Sequence, residues 1–206
     1  MSALDRARLR AAYTSFLGHS HQAWPDVARE AMGRCFDNAA RLVDDKWGPV
    51  FELVDRVGRR VNERLGFDGA DPIAFGRSTH ELVFRLLSCL AKDARVVTTT
   101  GEFHSLHRQL RRLEEDGLRV TWVDAKPRDA LADRLLEQIV PGVDLVAVSA
   151  VLFEDAFIFP RLGEIIARAA EVGAIPLVDA YHAFNVVQLD WGPARDSAFV
   201  TAGGGK

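Results

Sequence analysis

From residue 72 onward the chain repeats one pattern: a short run rich in Val, Ile, Leu and Thr, then a helix-length amphipathic stretch, then punctuation. The runs are Arg95–Thr100, Arg119–Asp124, Val143–Ala150 and Ile175–Asp179, with Ser197–Ala202 as a further candidate. Their apolar residues are largely consecutive rather than alternating, as in strands covered on both faces. Between them lie Phe103–Asp116, Arg128–Val140 and Leu162–Val172, each with helical spacing, and Gly117 and Gly173 stand where the first and last of these should stop. Parallel neighbours need a crossover of this size, whereas antiparallel ones can be joined by two residues. The pattern therefore predicts βαβ units and a three-layer α/β fold with a mostly parallel sheet. Ser78–Thr79 opens one further helix ahead of the first strand, with Leu82, Val83, Leu86, Leu87 and Leu90 on its apolar side.

The N-terminal quarter reads differently. Pro25–Asp26 starts a helix running to about Asp45, with Val27, Met32, Phe36, Ala39, Leu42 and Val43 near helical spacing. Gly48–Pro49 is expected to interrupt it, and a second helix with Val50, Leu53, Val54, Val57 and Val61 on one face runs to Leu65 and ends at Gly66. Residues 1–70 are thus a helical arm leading into the large domain, and 71–206 the α/β part. With 48% hydrophobic and 27% charged residues, the 206-residue chain is neither disordered nor a disulfide-stapled miniprotein. A net charge of −3 gives no bulk attraction to nucleic acid or anionic lipid. Arg108–Asp116 mixes both signs at helical spacing and reads as a solvated face. Cys35 and Cys89 lack CxxC spacing and sit in apolar helical patterns, so buried thiols in a reducing compartment are expected. The opening MSALDRARLRAAY has no apolar core of a leader, and no uninterrupted apolar run has membrane-spanning length, so the expectation is a cytoplasmic protein without membrane partners.

An open parallel sheet places its ligand beyond the carboxyl ends of its strands. Several residue groups stand at those ends. Strand Ile175–Asp179 runs into L-V-D-A-Y-H, with Asp179 and His182 three apart; the bland readings are a surface acid and a satisfied loop histidine, and no third ligand nearby supports a metal site. Arg77–Glu81 (R-S-T-H-E) puts two hydroxyls at a helix start, where free N–H groups and positive partial charge can hold a phosphate, although plain capping by Ser78 with Glu81 explains the same residues. Gly101–Ser105 (G-E-F-H-S) places Phe103 at the mouth of the sheet, either as a stacking platform or as ordinary core. T-A-G-G-G-K, ending at Lys206, lacks the spacing of a Walker A loop.

In this order, a Ser-Thr at a helix start, an aromatic after the next strand, an Asp-x-x-His after a later strand and then a lysine, the residues resemble fold type I pyridoxal-phosphate enzymes. Within these the chain resembles the class V aminotransferase group, and kynureninases most. Phe16–Ala23 (F-L-G-H-S-H-Q-A) resembles their F-L-G-N-S opening, S-T-H-E-L-V-F-R-L-L-S their phosphate-binding helix, E-F-H-S their E-F-P-S segment, and D-A-Y-H-A-F-N with L-D-W-G their D-x-A-H-A and H-x-W-G blocks. The resemblance implies that pyridoxal 5'-phosphate is bound by Ser78, Thr79, Phe103, Asp179, His182 and Lys206. Asp179 would keep the pyridine nitrogen protonated, Phe103 would stack on the ring, His182 would lie near it, and Ser78 and Thr79 would hold the phosphate. Lys206 would carry the Schiff base and then shuttle protons, as the catalytic residue.

The implied activity is hydrolysis of a C–C bond in an amino-acid substrate, as in kynureninases. A class V aminotransferase, a cysteine-desulfurase-like lyase or an epimerase is the alternative, and a non-catalytic binding domain derived from the fold is the alternative of another class. A homodimer is implied as well. The chain departs from the kynureninase pattern at Gly205, where these enzymes carry Tyr, at Leu106, where they carry an acid, and at His19 in place of Asn. Relatives also continue past this lysine with a small C-terminal domain and the arginine that grips the substrate carboxylate. The 206 residues are therefore expected to be a piece of a longer protein, cut at the anchoring lysine.

Overall fold

A computed structural model describes residues 24–67 and 71–204 of the chain. These fall into two compact units, divided after Ile73.

The first unit holds two helices, α1 (Asp26–Leu42) and α2 (Trp47–Leu65). The chain break between them falls at Val43, held at φ 50°, followed by a 3-10 turn over Val43–Lys46. Gly48–Pro49 does not interrupt a helix as the sequence suggested. Both residues sit in the first turn of α2, where proline's missing N–H would have had no partner in any case. Trp47 stacks on Phe51 with ring centroids 6.2 Å apart, and Lys46 lies over the Trp47 ring. Gly66, at φ 79°, ends α2 where the sequence placed its stop, donating its N–H to the Asn62 and Glu63 carbonyls. Buried Asn62 in turn donates its side-chain amide to the Asp71 carbonyl at 2.7 Å. No residue of α1 is buried, so Val27, Met32 and Phe36 keep their apolar spacing on an exposed face.

The second unit is the α/β part. It comprises α3 (Thr79–Leu87), β1 (Arg95–Thr99), α4 (His104–Glu115), β2 (Arg119–Val123), α5 (Leu131–Gln138), β3 (Leu145–Ser149), α6 (Leu162–Glu171), β4 (Ile175–Asp179) and β5 (Phe199–Thr201). The five strands form one sheet in the order β2-β1-β3-β4-β5, and every pairing is parallel. Helix α5 starts later than Arg128 because Arg128 is used otherwise. Its guanidinium donates to the Ala125 carbonyl and to the carboxylates of Glu154 and Asp155.

Helices α3 and α4 pack against each other, with α3 on β5 and α4 on β2, while α5 and α6 pack together over β1, β2 and β4. The arrangement is three-layered, as the run-and-helix pattern predicts. Strand geometry sends alternate side chains to opposite faces. Val96, Leu145, Ala147 and Leu177 share one buried cluster with Val83 and Leu87 of α3 and Leu106 and Leu110 of α4. Leu106, which replaces the acid of the kynureninase pattern, is thus a core residue. The mixed-sign face of α4 is solvated, its arginines pairing along the helix as Arg111–Glu114, Arg112–Glu115 and Arg112–Asp116. The cysteines are exposed, against expectation: Cys35 lies on α1, which buries nothing, and Cys89 lies just beyond α3, its thiol donating to the Arg85 carbonyl.

One close approach depends on having no side chain. A Cβ on Gly163, in the first turn of α6, would meet the backbone N and Cα of Gly192 at 2.7 and 2.8 Å. Gly192 belongs to the L-D-W-G segment, where Trp191 is buried and Gly192 takes φ 64°. Backbone on both sides cannot yield as a flexible side chain would. Gly163→Ala is expected to destabilise the protein by about 1–3 kcal/mol through overpacking, read as a lower denaturant midpoint at unchanged m-value.

Candidate active site

The strand order places a topological switch between β1 and β3. From β1 the chain steps to β2 on one side and returns to β3 on the other. Such a reversal opens a crevice beyond the carboxyl ends of the strands. Along those ends the buried residues turn from aliphatic to polar: Ser149 on β3 pairs in register with Asp179 on β4, and Asp179 with Thr201 on β5. All three are nearly buried, Asp179 at 8% exposure. Polar groups in such a position need partners. Asp179 accepts the Tyr181 N–H at 2.8 Å, turning the chain after β4, and its carbonyl accepts the Ala150 N–H. The Thr201 hydroxyl is buried without a hydrogen-bond partner.

Rings gather above this row. Phe103, directly ahead of α4, is 37% exposed and therefore not a core residue. Its ring centroid lies 5.7 Å from that of His182, 5.5 Å from His104 and 5.3 Å from Phe153, the last edge-on. His104 and Phe153 approach to 4.8 Å, and Tyr181 meets His182 edge-on. The loops after β1, β3 and β4 thus supply one aromatic wall, since strands far apart in sequence end side by side in the sheet. A Cβ on Gly203 would collide with the edge of the Tyr181 ring, so the backbone after β5 runs directly against this wall.

Beside the wall sits an acid that sequence reasoning did not single out. Glu102 is 2% exposed, and its two carboxylate oxygens accept hydrogen bonds from the Thr99 and Ser149 hydroxyls, each at 2.6 Å. Burial pushes this carboxyl up to about 7; the hydrogen bonds from Ser149 and Thr99 oppose the rise, and the negative charge of Asp179 adds to it.

Of the residues implied by the resemblance, Phe103, Asp179 and His182 stand at the ends of β1 and β4, Phe103 and His182 in ring contact. Ser78 caps α3, accepting the Glu81 N–H at 3.2 Å, while the Glu81 carboxylate accepts the Arg77 N–H at 3.0 Å. This resembles a capping box with the return bond moved one residue back, to Arg77, and it leaves the N-terminus of α3, with Thr79 as its first residue, to act through backbone N–H groups and dipole. Lys206, Gly205 and the F-L-G-H-S segment lie outside the described residues. Phe153, Thr201 and Glu102 were missed. None of the three stood out in the sequence: Glu102 follows three threonines and a glycine, where a charged residue is unremarkable.

Residues 36–203 match the model of the aminotransferase class-V family. The chain belongs to this family. Its enzymes use pyridoxal 5'-phosphate. No curated protein matches the sequence. Among solved structures, the chain is similar to the apo structure of a cysteine desulfurase from Thermococcus onnurineus NA1, with a TM-score of 0.76 at 20% identity, over 97% of this chain and 51% of that one. It therefore spans about half the length of that protein. A weaker match, over 50% of this chain and 27% of the other, is to apo CalE6, a methionine gamma lyase from Micromonospora echinospora, with 23% identity and a TM-score of 0.42.

The described residues fit the family's cofactor. A buried carboxylate ends β4, an orphaned buried hydroxyl stands beside it in register, and a half-exposed phenylalanine ring faces His182 across the same crevice. Among the described residues no helix is long and apolar enough to cross a membrane, and no three His, Cys, Asp or Glu side chains converge to hold a metal ion.

Proposed function

We propose that this protein is a pyridoxal-phosphate enzyme hydrolysing a C–C bond in an amino acid with an aromatic side chain, in the manner of kynureninases. The aromatic wall of Phe103, His104, Phe153 and His182 beside the buried Asp179 carries the reading. A ring-lined crevice with one buried anion suits a flat cationic ring and a second flat ring next to it. When bound, pyridoxal phosphate supplies an electron sink for the bonds around the substrate's α-carbon. Asp179 holds the proton on the cofactor's ring nitrogen, since a neighbouring anion favours the cationic form. Phe103 would stack on the cofactor ring and exclude water from it. The N-terminus of α3, with Ser78 and Thr79, receives the phosphate. His182 orients the cofactor or the substrate from the edge of the wall. Lys206 would hold the cofactor through its side-chain amine and would be the group that moves protons at the substrate. Residues 71–206 as the cofactor-binding domain and a homodimeric, cytoplasmic enzyme belong to the same proposal.

The test uses full-length protein loaded with pyridoxal phosphate. Borohydride should fix the cofactor on the peptide carrying Lys206, and L-kynurenine with water should yield anthranilate, followed by its fluorescence, together with alanine. Alanine from cysteine, with the sulfur released as sulfide once a thiol reductant is added and kynurenine left untouched, would replace this reading by a desulfurase. A protein that stays colourless with added cofactor would point instead to a non-catalytic binding domain.

A further inference from the structure

Glu102 has no part in the chemistry above, yet it is less exposed than any other described acid. Burying a carboxyl is costly unless its oxygens are satisfied. Here both are satisfied, and by different strands. Thr99, at the end of β1, donates to one oxygen, and Ser149, at the end of β3, donates to the other across 47 residues of sequence. The Thr99 hydroxyl also accepts the Gly101 N–H at 3.2 Å, so the turn leading to Phe103 is closed on itself. The bridge spans the two strands that flank the switch point, where the crevice opens.

We infer that Glu102 is a positioning residue: its carboxyl ties the end of β1 to the end of β3 and so fixes the ring of Phe103, the next residue, at the wall that receives the cofactor. The inference rests on the pyridoxal-phosphate reading. Two further observations support it. Phe103 is the ring shared by contacts to His104, Phe153 and His182, so a shift of its backbone would move the wall as a whole. The clamp is also sensitive to protonation, because the charged group acting on Glu102 is Asp179 of β4, whereas Thr99 and Gly101 of the β1 end and Ser149 of β3 carry no charge. With its proton in place the bridge joins neutral groups. Once the proton leaves, the Ser149 and Thr99 hydrogen bonds offset only part of the cost of a buried anion facing Asp179, and the bridged end of the sheet becomes less stable.

The experiment titrates full-length apoprotein with pyridoxal 5'-phosphate at pH 6 and pH 8, following affinity and the visible circular dichroism induced in the bound cofactor. Glu102→Ala leaves two buried hydroxyls without their partner and is expected to weaken binding about tenfold, with most of the induced band lost. Glu102→Gln keeps the shape without the titration. It should match wild type at pH 6 and bind roughly severalfold more tightly than wild type at pH 8. This second variant carries the test should Glu102→Ala fail to fold. A positional filler would give neither the rescue by Gln nor the loss of pH dependence. Wild-type affinity and an unchanged band in Glu102→Ala, or equal pH dependence in wild type and Glu102→Gln, would overturn the inference while leaving the cofactor assignment standing. Wild type that binds no cofactor at either pH would overturn both.

Discussion

Asp179→Asn should remove most of the activity while leaving the fold in place. Asparagine keeps a side-chain oxygen that can accept the Tyr181 N–H, now accepted by Asp179 at 2.8 Å, so the turn after β4 survives. What it loses is the negative charge. An opposite charge at contact distance raises the pKa of a cationic group by about 1–3 units, so its removal should lower kcat/KM on the amino-acid substrate by roughly 10- to 1000-fold at neutral pH. The melting temperature should move little, because the shape, the burial and the turn are retained. Unchanged kcat/KM would show that the acid is a structural end to the strand and would detach it from the cofactor.

The second large effect is on stability. Glu102 has its carboxyl raised to about 7 in the folded protein, against an ordinary value of 4.5. The folded state therefore binds more protons than the unfolded state between these limits, and stability falls as pH rises through that window. Two and a half pH units correspond to about 3 kcal/mol, present in full below pH 4.5 and lost by the time pH passes 7. Glu81, Asp155 and Glu164 are shifted the opposite way, chiefly by the backbone N–H of Arg77 for Glu81 and by hydrogen bonds from Arg128 and Arg161 for the other two. Asp155 and Glu164 are exposed and Glu81 is half-buried at the surface, and water screens what they contribute. The comparison of wild type with Glu102→Gln isolates the buried group: the variant should lose the decline between pH 5 and 8, a difference of roughly 6–12 °C in melting temperature at this size. Parallel curves for the two proteins would mean that Glu102 is ionised throughout.

The elements that could be read from the sequence are those set by local chemistry. Strand β4 runs from Ile175 to Asp179 as the apolar run and its terminal acid indicate. Gly66, Gly117 and Gly173 follow helix ends at φ 79°, 113° and 80°, a backbone region that glycine enters without strain. The failures share another cause. The thiols of Cys35 and Cys89 sit in apolar patterns, but an apolar face is buried only where something packs on it, and α1 buries none of its residues. In the site, Phe103, Asp179 and His182 could be picked out because each follows a strand within a few residues. Phe153 could not, because its significance arises only when β1 and β3 become neighbours and bring it edge-on to Phe103. Glu102 is a similar case. Its partner Ser149 is an unremarkable residue at the end of a strand until the sheet places its hydroxyl 2.6 Å from the carboxyl.

The position of β5 bears on when the site forms during synthesis. Four of the five strands, and all the crossovers between them, are encoded before residue 180. Once they have emerged from the ribosome they can assemble the Glu102 bridge and most of the aromatic wall. The polar row is still open at that stage, because Thr201 pairs with Asp179 only after β5 has been made and added to the free edge of β4. Domains fold as their segments become available, at about 5–20 residues per second. The nascent chain therefore passes through an interval of seconds in which its sheet is built and its acid is in place, but the edge strand that completes the crevice is missing.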